Sequence, residues 1–292
     1  MKKLVCLLLS FCLALSLCAC KETAPQKSDE EEFRIITSFY PVYVTTLNLV
    51  DGAGGVSLIN LTEPDIGCLH DYMLTLDDIE KMTGADLFIA SGMGMESFVG
   101  KTSMGIPRLE TLECGEDVPN IIGDEDEIQN CHYWMDIENA INQCEKIKRT
   151  LVRLNPANSS VYEKNAAEYT AKLNLLLEEA KTRAEGFGEG SVTVYHDSLE
   201  YFTKELGIGY VTIPSDADLD EYLATPGAAE FSHLFVQESL IDSDEVKKIC
   251  KVTGCTPVSI DTLTSGAEDG NDKDAYINAV HHNLDVIEQV LG

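Results

Sequence analysis

Three histidines and one aspartate have the residue types and the spacing expected of metal ligands. His70 follows the strand-like run "VSLINL" and a short turn, His132 precedes a helix-like segment for which Asp136 is a suitable N-cap, and His196 ends "SVTVYH". Asp261 ends "TPVSI", and the successive intervals are 62, 64 and 65 residues. Three imidazoles and a carboxylate suit a four-coordinate borderline cation such as zinc. Each histidine taken alone is better explained as a hydrogen-bonded loop or helix-cap residue than as a metal ligand, so the predicted zinc site depends on all four positions.

The segments that must position these residues alternate between strand-like and helix-like patterns. Such alternation predicts a mainly parallel α/β architecture, in which binding sites lie at the carboxyl ends of strands. The strand-like runs are 33–39, 56–61, 85–91, 191–196, 209–213, 233–238 and 256–260, and the helix-like segments include 76–83, 136–154, 198–206, 243–253 and 274–291.

One segment, 155–187, interrupts the alternation because it contains no strand-like run. Its apolar residues recur at intervals that place them on one face of a long helix. We expect a single helix that joins an N-terminal lobe, 33–154, to a C-terminal lobe, 188–292; the alternative is an ordinary helix within one larger domain. The residues expected on the apolar face are Val161, Tyr169, Leu173, Leu176 and Ala180.

The chain begins with a pattern typical of exported proteins. Residues 1–19 combine two lysines, an apolar run over 4–17 that is too short for a confident membrane span, and the small residue that precedes Cys20. The sequence "LCAC" resembles a lipobox, which predicts cleavage before Cys20 and lipid attachment to it; a plain secretory signal is the alternative. The polar segment 20–32 is expected to be a disordered tether.

The composition is strongly acidic, with 50 acidic against 21 basic residues and a net charge of −29. Removal of the two lysines with residues 1–19 would bring the charge to about −31. An acidic surface of this kind repels nucleic acid and attracts cations, so we expect no nucleic-acid partner.

Common catalytic motifs are absent from the sequence. The run "GMESFVGKT" has five residues between Gly94 and Gly100, one more than the phosphate-binding loop requires. The chain contains neither H-E-x-x-H nor G-x-S-x-G. We therefore expect a binding protein and not an enzyme.

Six cysteines would remain free of the signal segment and the lipid, an even number in a compartment that permits disulfides. Cys250 and Cys255 are interpreted as either a disulfide or two buried thiols. Cys114 and Cys131 bracket the acidic run 113–127, which is expected to be a solvated loop and could be closed by a disulfide. The six are Cys68, Cys114, Cys131, Cys144, Cys250 and Cys255.

Several motifs together resemble the metal-binding solute-binding lipoproteins of ATP-binding-cassette zinc and manganese importers. The resemblance extends over nearly the whole chain after the tether, and its most specific elements are H-x-W-x-D and the "HDY" run. The motifs are "SFYPVY" (38–43), "HDY" (70–72), "ADLFIASGMGMESFVGK" (85–101), "HYWMDIENA" (132–140), "NAAEYTAKL" (165–173), "VYHDSLEYFTKELGI" (194–208) and "NLDVIEQVL" (283–291).

This resemblance implies two α/β lobes with mainly parallel sheets joined by one long rigid helix, with the metal site in the interlobe cleft. It implies metal ligands at His70, His132, His196 and Asp261. Because zinc binders of the family tend to have histidine at the third ligand and manganese binders glutamate, His196 favours Zn²⁺ over Mn²⁺. It also implies that Glu238 hydrogen-bonds a ligand imidazole.

The sequence departs from the family pattern beside two of these ligands. The family usually has prolines around its first histidine, whereas this chain has Cys68 and Leu69 before His70, which makes Cys68 a rival ligand. The acidic run 113–127 stands where many zinc-binding members have a histidine-rich loop.

The function expected from the sequence is that of an extracytoplasmic, lipid-anchored, monomeric zinc-binding component of an ATP-binding-cassette importer. It would capture the ion and deliver it to the membrane permease. Two alternatives remain: a manganese or iron binding protein of the same transporter type, and a surface adhesin with a structural metal.

Overall fold

The computed structural model describes most of the chain after the predicted tether. Residues 33–292 form one compact unit. The predicted signal segment, Cys20, Cys68 and His70 lie outside the described residues. No helix within the described part combines the length and the apolar character needed to cross a membrane. The described residues are 32–63, 69, 72–98, 105–106, 108–123, 129–188, 190–213, 217–227, 230–266 and 272–292.

The first lobe is a parallel sheet covered by helices. Its strands are β1 (Phe33–Thr37), β2 (Val56–Asn60), β3 (Leu87–Ala90) and β4 (Glu110–Glu113), and its helices are α1 (Tyr40–Val50), α2 (Leu76–Met82) and α3 (Ile137–Leu154). The strand order is β2-β1-β3-β4, with every described pair parallel. β3, which reads LFIA, is buried along its whole length, as expected for a central strand with both faces covered.

A long helix, α4 (Ser159–Ala184), follows the first lobe. It packs against α1 and α3 through one buried face. Tyr169, Leu173, Leu176 and Ala180 lie on that face as predicted, whereas Val161 is only partly buried, and Tyr162 takes the first buried position. The expected long helix is therefore present, with its first turn preceded by a short 3-10 turn at Pro156–Asn158.

The second lobe repeats the topology of the first. Its strands are β5 (Ser191–Tyr195), β6 (Gly209–Ile213), β7 (His233–Gln237) and β8 (Thr256–Ile260), and its helices are α5 (Glu200–Glu205), α6 (Leu219–Ala224), α7 (Asp244–Thr253) and α8 (Ala275–Leu291). The strand order is β6-β5-β7-β8, again parallel throughout. The predicted fold class, two parallel α/β lobes with a long helix, is confirmed.

A continuous apolar core holds these parts together. One cluster of buried side chains extends from Ile35 in β1 through Leu173 in α4 to Val194 in β5 and Leu284 in α8. Because the cluster reaches both sheets, α4 is a packed element of the unit and not a free linker.

Three elements were not among those predicted: α1, β4 and α6. α1 reads YPVYVTTLNLV, and its β-branched residues favour strand in a sequence pattern, but the helix is buried on most sides and Pro41 fits its first turn. β4 reads ETLE and carries little apolar signal because it is an edge strand. α6 is a six-residue helix with no buried residue, so it lacks the apolar periodicity by which helices are recognised.

Candidate metal centre

His132 occupies a buried position in the segment that precedes α3. It precedes a 3-10 turn, Tyr133–Met135, and the side chain of Asp136 then caps α3 by accepting a hydrogen bond from Asn139 N–H at 2.8 Å. The N-cap predicted from the sequence is confirmed. Although His132 is polar, its exposed fraction is 0%. A buried imidazole requires polar partners, and the neighbouring residues supply them.

Asn130 holds the ring of His132. Its Oδ1 accepts a hydrogen bond from the backbone N–H of His132 at 3.0 Å and lies 3.0 Å from His132 Nδ1. Because an amide oxygen only accepts, this contact keeps a proton on Nδ1 and leaves Nε2 able to bind a cation. The amide nitrogen of Asn130 donates across to the second lobe, to the backbone oxygen of Asp197 at 2.8 Å and to Glu200 Oε2 at 3.1 Å.

Trp134 packs against the ring of His132. Its ring centroid is 5.3 Å from that of His132 and 5.2 Å from that of Phe39, the latter in an edge-to-face arrangement. Its Nε1–H donates to the backbone oxygen of Thr262 at 3.0 Å, next to the end of β8. Trp134 therefore both supports the histidine and joins the two lobes.

His196 is placed by the end of β5. Its backbone φ is 87°, in the half of the conformational map that residues other than glycine rarely adopt. Nδ1 accepts a hydrogen bond from Ser198 N–H at 3.1 Å, and 14% of the side chain is exposed. Strained backbone at a polar side chain beside a cleft is a recurrent feature of functional sites.

Asp197 completes a group of three potential ligands with these histidines. The candidate ligand atoms of His132, His196 and Asp197 all lie within 4.8 Å of one another. Asp197 Oδ1 is 3.0 Å from Nδ1 of His196 and 3.6 Å from Nδ1 of His132, and the two imidazole centroids are 5.3 Å apart. Ligand atoms that share one tetrahedral zinc ion at about 2.1 Å lie roughly 3.4 Å apart. The group thus has the composition of a metal site, and its candidate ligand atoms lie close together, within 4.8 Å, although not at the tetrahedral spacing.

A cavity of about 330 Å³ opens beside this group. Asn130, Cys131, Asp197 and Glu200 line it together with apolar residues. Two carboxylates therefore line this cavity, and they would attract a cation.

Asp261, the fourth predicted ligand, is not one of the three residues in this group. β7 separates β8 from β5 in the sheet, so the backbone of Asp261 is two strand spacings from that of His196, roughly 9–10 Å. Its Oδ1 accepts a hydrogen bond from Leu263 N–H at 2.7 Å. Burial raises the pKa of Asp261 above its ordinary value, and the carboxylate of Glu238 adds to the rise. The side chain lines a second cavity, of about 240 Å³.

Glu238 follows β7, directly beside Asp261 in the register of the sheet. Its side chain is exposed, and within the described part of the chain it makes no hydrogen bond to His132 or His196. The imidazole of His132 is contacted by Asn130. The roles of Glu238, Asp261 and His70 stay predictions, as does that of Cys68.

The sequence interpretation missed Asp197 and Asn130. Asp197 directly follows a predicted ligand, and an acidic residue at the carboxyl end of a strand was the available signal. Asn130 lies two residues before His132, and no sequence pattern distinguishes such an asparagine from an ordinary loop residue. Cys114 and Cys131 are not joined to each other by a disulfide in this structure, so the loop closure considered for the acidic run is not formed.

Comparison with known proteins gives matches along the whole described chain. The family profile "ZnuA: Zinc-uptake complex component A periplasmic" matches residues 35–290. The high-affinity zinc uptake system protein ZnuA of Bacillus subtilis (strain 168) is 27% identical over 297 residues, which cover 93% of this chain and 91% of that protein. The manganese ABC transporter substrate-binding lipoprotein PsaA of Streptococcus anginosus is 25% identical over 313 residues, covering 100% of both chains.

A solved structure has the same fold. The SBP FpvC from Pseudomonas aeruginosa in complex with Mn²⁺ superposes with a TM-score of 0.77 at 21% identity, and the alignment covers 89% of this chain and 98% of that one.

Proposed function

Because the chain belongs to the zinc-uptake complex component A (ZnuA) family, we propose that it captures a zinc ion outside the cytoplasm and delivers it to a membrane permease. As a member of this family it is a metal-binding component of an ATP-binding-cassette metal importer and not an enzyme. The choice of zinc and the identity of the ligands are the parts proposed here. The observation that carries the proposal is the group formed by His132, His196 and Asp197, which takes residues from both lobes.

The proposed ligands are the two imidazoles and the Asp197 carboxylate, with His70 as the fourth. Asp197 is preferred to Asp261 as the carboxylate because it belongs to the group whose candidate ligand atoms lie within 4.8 Å of one another, and Asp261 does not belong to that group. Asn130 would fix the orientation of His132, which is a common role of groups that hydrogen-bond a ligand imidazole.

Paired variants test the choice of carboxylate. We expect Asp197→Asn to weaken zinc binding at least about tenfold and Asp261→Asn to have a smaller effect, as measured by competition with a zinc chelator. His281→Ala is a matched control, since His281 is exposed and pairs with Glu179 away from the site. The opposite ranking of the two aspartates would assign the carboxylate to Asp261.

Zinc is proposed over manganese because imidazole nitrogens dominate the ligand set. First-row divalent ions bind nitrogen sites in an order that places zinc well above manganese, and carboxylate or carbonyl oxygens suit manganese better. We expect calorimetric titration of the metal-free protein to give a zinc affinity at least about tenfold above that for manganese. Tighter manganese binding would overturn the zinc assignment, and failure of both ions to bind would remove the site itself.

Membrane attachment is proposed through lipid on Cys20, after removal of residues 1–19, with residues 20–32 as the tether and the two lobes beyond it. A multiply acylated cysteine provides enough buried hydrocarbon for stable attachment. We expect the wild-type protein in the membrane fraction and Cys20→Ala in the soluble extracytoplasmic fraction. Equal distribution of the two would contradict the anchor while leaving the metal site untouched.

A further inference from the structure

Two thiols face each other where α7 ends and β8 begins. Cys250 lies in the last turn of α7, and Cys255 directly precedes Thr256, the first residue of β8. Their sulfur atoms are 3.4 Å apart, with the Cys255 thiol donating to Cys250 Sγ. This pair takes no part in the proposed metal site.

The backbone between the two cysteines holds the thiols in this position. Gly254 ends α7 with a φ of 74°, the left-handed conformation that glycine adopts most easily, and its N–H donates to Cys250 O at 2.9 Å. The N–H of Cys255 donates to Thr253 Oγ1 at 3.1 Å. The chain therefore reverses within one turn and brings residue 255 back against residue 250.

We propose that Cys250 and Cys255 form an intrachain disulfide when the protein resides outside the cytoplasm. A disulfide bond is about 2.05 Å long, so the two sulfur atoms need to approach by roughly 1.4 Å. The extracytoplasmic environment permits such bonds to form and persist. The inference does not depend on which metal the protein binds, or on whether it binds one.

The oxidant is a second disulfide, either of a small molecule or of a thiol–disulfide oxidoreductase. The thiolate of Cys250 attacks one sulfur of that disulfide and expels the other as a thiolate, which forms a mixed disulfide. The Cys255 thiolate then attacks Cys250 Sγ and releases the second thiolate. Two protein thiols lose two electrons and two protons, and the oxidant becomes two thiols.

The burial of the two cysteines sets the order of these steps. Cys250 is partly exposed, whereas Cys255 has an exposed fraction of 7%, so Cys250 meets the oxidant first. Burial, together with the neighbouring Cys255, raises the pKa of Cys250 to about 11. Little thiolate exists at neutral pH, so uncatalysed oxidation is slow and a protein catalyst accelerates it.

A metal site is a weaker interpretation of the pair. The group of three metal-ligating residues found among the described residues lies elsewhere, at His132, His196 and Asp197. Two sulfurs alone would leave half of a tetrahedral zinc shell to water.

Peptide mapping of the full chain tests the proposal. The protein is oxidised in a glutathione redox buffer, alkylated under denaturing conditions and digested with trypsin without reduction. Because Lys251 separates the cysteines, the disulfide joins peptide 249–251 to peptide 252–273, and reduction splits them. Recovery of this linked pair supports the proposal. Alkylation of both cysteines, or linkage of either to another cysteine, overturns it.

Thermal unfolding supplies a second measurement. The disulfide closes a short loop, so we expect oxidation to raise the melting temperature by roughly 3–8 °C, while Cys250→Ser and Cys255→Ser show no redox-dependent shift. A redox-dependent shift of the same size in these variants would assign the effect to other cysteines. If 1 mM zinc blocks alkylation of Cys250 and Cys255 in the wild type but does not block alkylation of Cys255 in Cys250→Ser, the pair binds metal and the disulfide proposal fails.

Discussion

The two lobes present their histidines to the site through the same local sequence of elements but with different support. In the first lobe His132 precedes a 3-10 turn and α3, and in the second His196 precedes a 3-10 turn, Asp197–Leu199, and α5. The first segment is buried throughout, with His132 fully enclosed, whereas 48% of the Asp197 side chain is exposed. The first-lobe half of the site is thus part of the core, whereas the second-lobe half exposes its carboxylate to solvent.

This difference implies that the two halves contribute to different properties. Changes near His132 should affect the stability of the fold as well as metal binding, because the same residues serve both. Changes near His196 should affect metal binding while leaving the free energy of unfolding nearly unchanged.

The largest effect is expected from Trp134→Ala. This substitution removes a buried ring that packs against Phe39 and His132, so it should lower the free energy of unfolding by about 3–5 kcal/mol. Trp134→Phe keeps most of the packing but loses the hydrogen bond to Thr262 O, and it should cost about 1–2 kcal/mol. Urea unfolding of the metal-free proteins measures both. Equal stability of Trp134→Ala and wild type would refute the idea that this half belongs to the core.

Glu205 in α5 of the second lobe contacts the start of α3 in the first lobe, and its ionisation tests that contact. Both its carboxylate oxygens accept from Ile137 N–H, at 3.0 and 3.1 Å, at the start of α3. Burial raises the pKa of Glu205 from about 4.5 to about 8, and the Asp136 carboxylate adds to the rise. Between these pH values the folded protein holds a proton that the unfolded chain has released, so stability falls as pH rises through this window and stays lower above it.

Glu205→Gln cannot ionise and should lose this pH dependence. At pH 9 we expect the variant to be more stable than wild type by on the order of 2–4 kcal/mol, with a much smaller difference at pH 4. The exposed Glu178→Gln is the matched control. If unfolding curves of the two variants have the same pH dependence, then Glu205 does not carry the buried proton.

His196→Ala should separate binding from stability. Loss of one ligand is expected to weaken zinc binding by about 100-fold or more, while the free energy of unfolding of the metal-free protein changes by less than about 1 kcal/mol. Chelator competition measures the zinc affinity, and urea unfolding of the same preparation measures the free energy of unfolding. A large loss of stability would show that the second-lobe half is as deeply integrated as the first.

Asn130 links the halves and should give the smallest effect. Asn130→Ala removes the acceptor for His132 and the donor to Asp197 and Glu200, which should weaken zinc binding by roughly 10- to 100-fold. Asn130→Asp keeps the acceptor and should retain more affinity than the alanine variant. An affinity ranking with aspartate below alanine would mean that the donor to the second lobe matters more than the orientation of His132.

The fold and part of the candidate site could be predicted from the sequence. His132 and His196 were chosen because each lies at the boundary of a predicted strand or helix, and such boundaries follow from local patterns. Asp197 and Asn130 were not identified, because they meet through a contact between the two lobes that joins residues 67 positions apart in the sequence. Periodicity predicts which face of an element is buried, but it does not predict which polar side chains meet across two elements.

Elements with weak or conflicting local signals were missed for a related reason. α1 is apolar on nearly all sides and rich in valine and threonine, so tertiary burial overrides its local strand preference. Strand order is likewise not encoded in strand spacing along the chain, so the sequence did not predict that β7 would lie between the strands that precede His196 and Asp261.

Because His196 has a positive φ, substitutions at this position measure backbone strain as well as loss of the imidazole. At a φ of 87° the backbone of any residue that carries a Cβ atom is strained. Alanine at position 196 would retain that strain, whereas glycine would relieve it. The stability difference between His196→Gly and His196→Ala therefore isolates the conformational cost that the protein bears to aim this imidazole. A glycine variant more stable than wild type in the absence of metal would identify the backbone at residue 196 as a site where folding stability has been given up for ligand geometry.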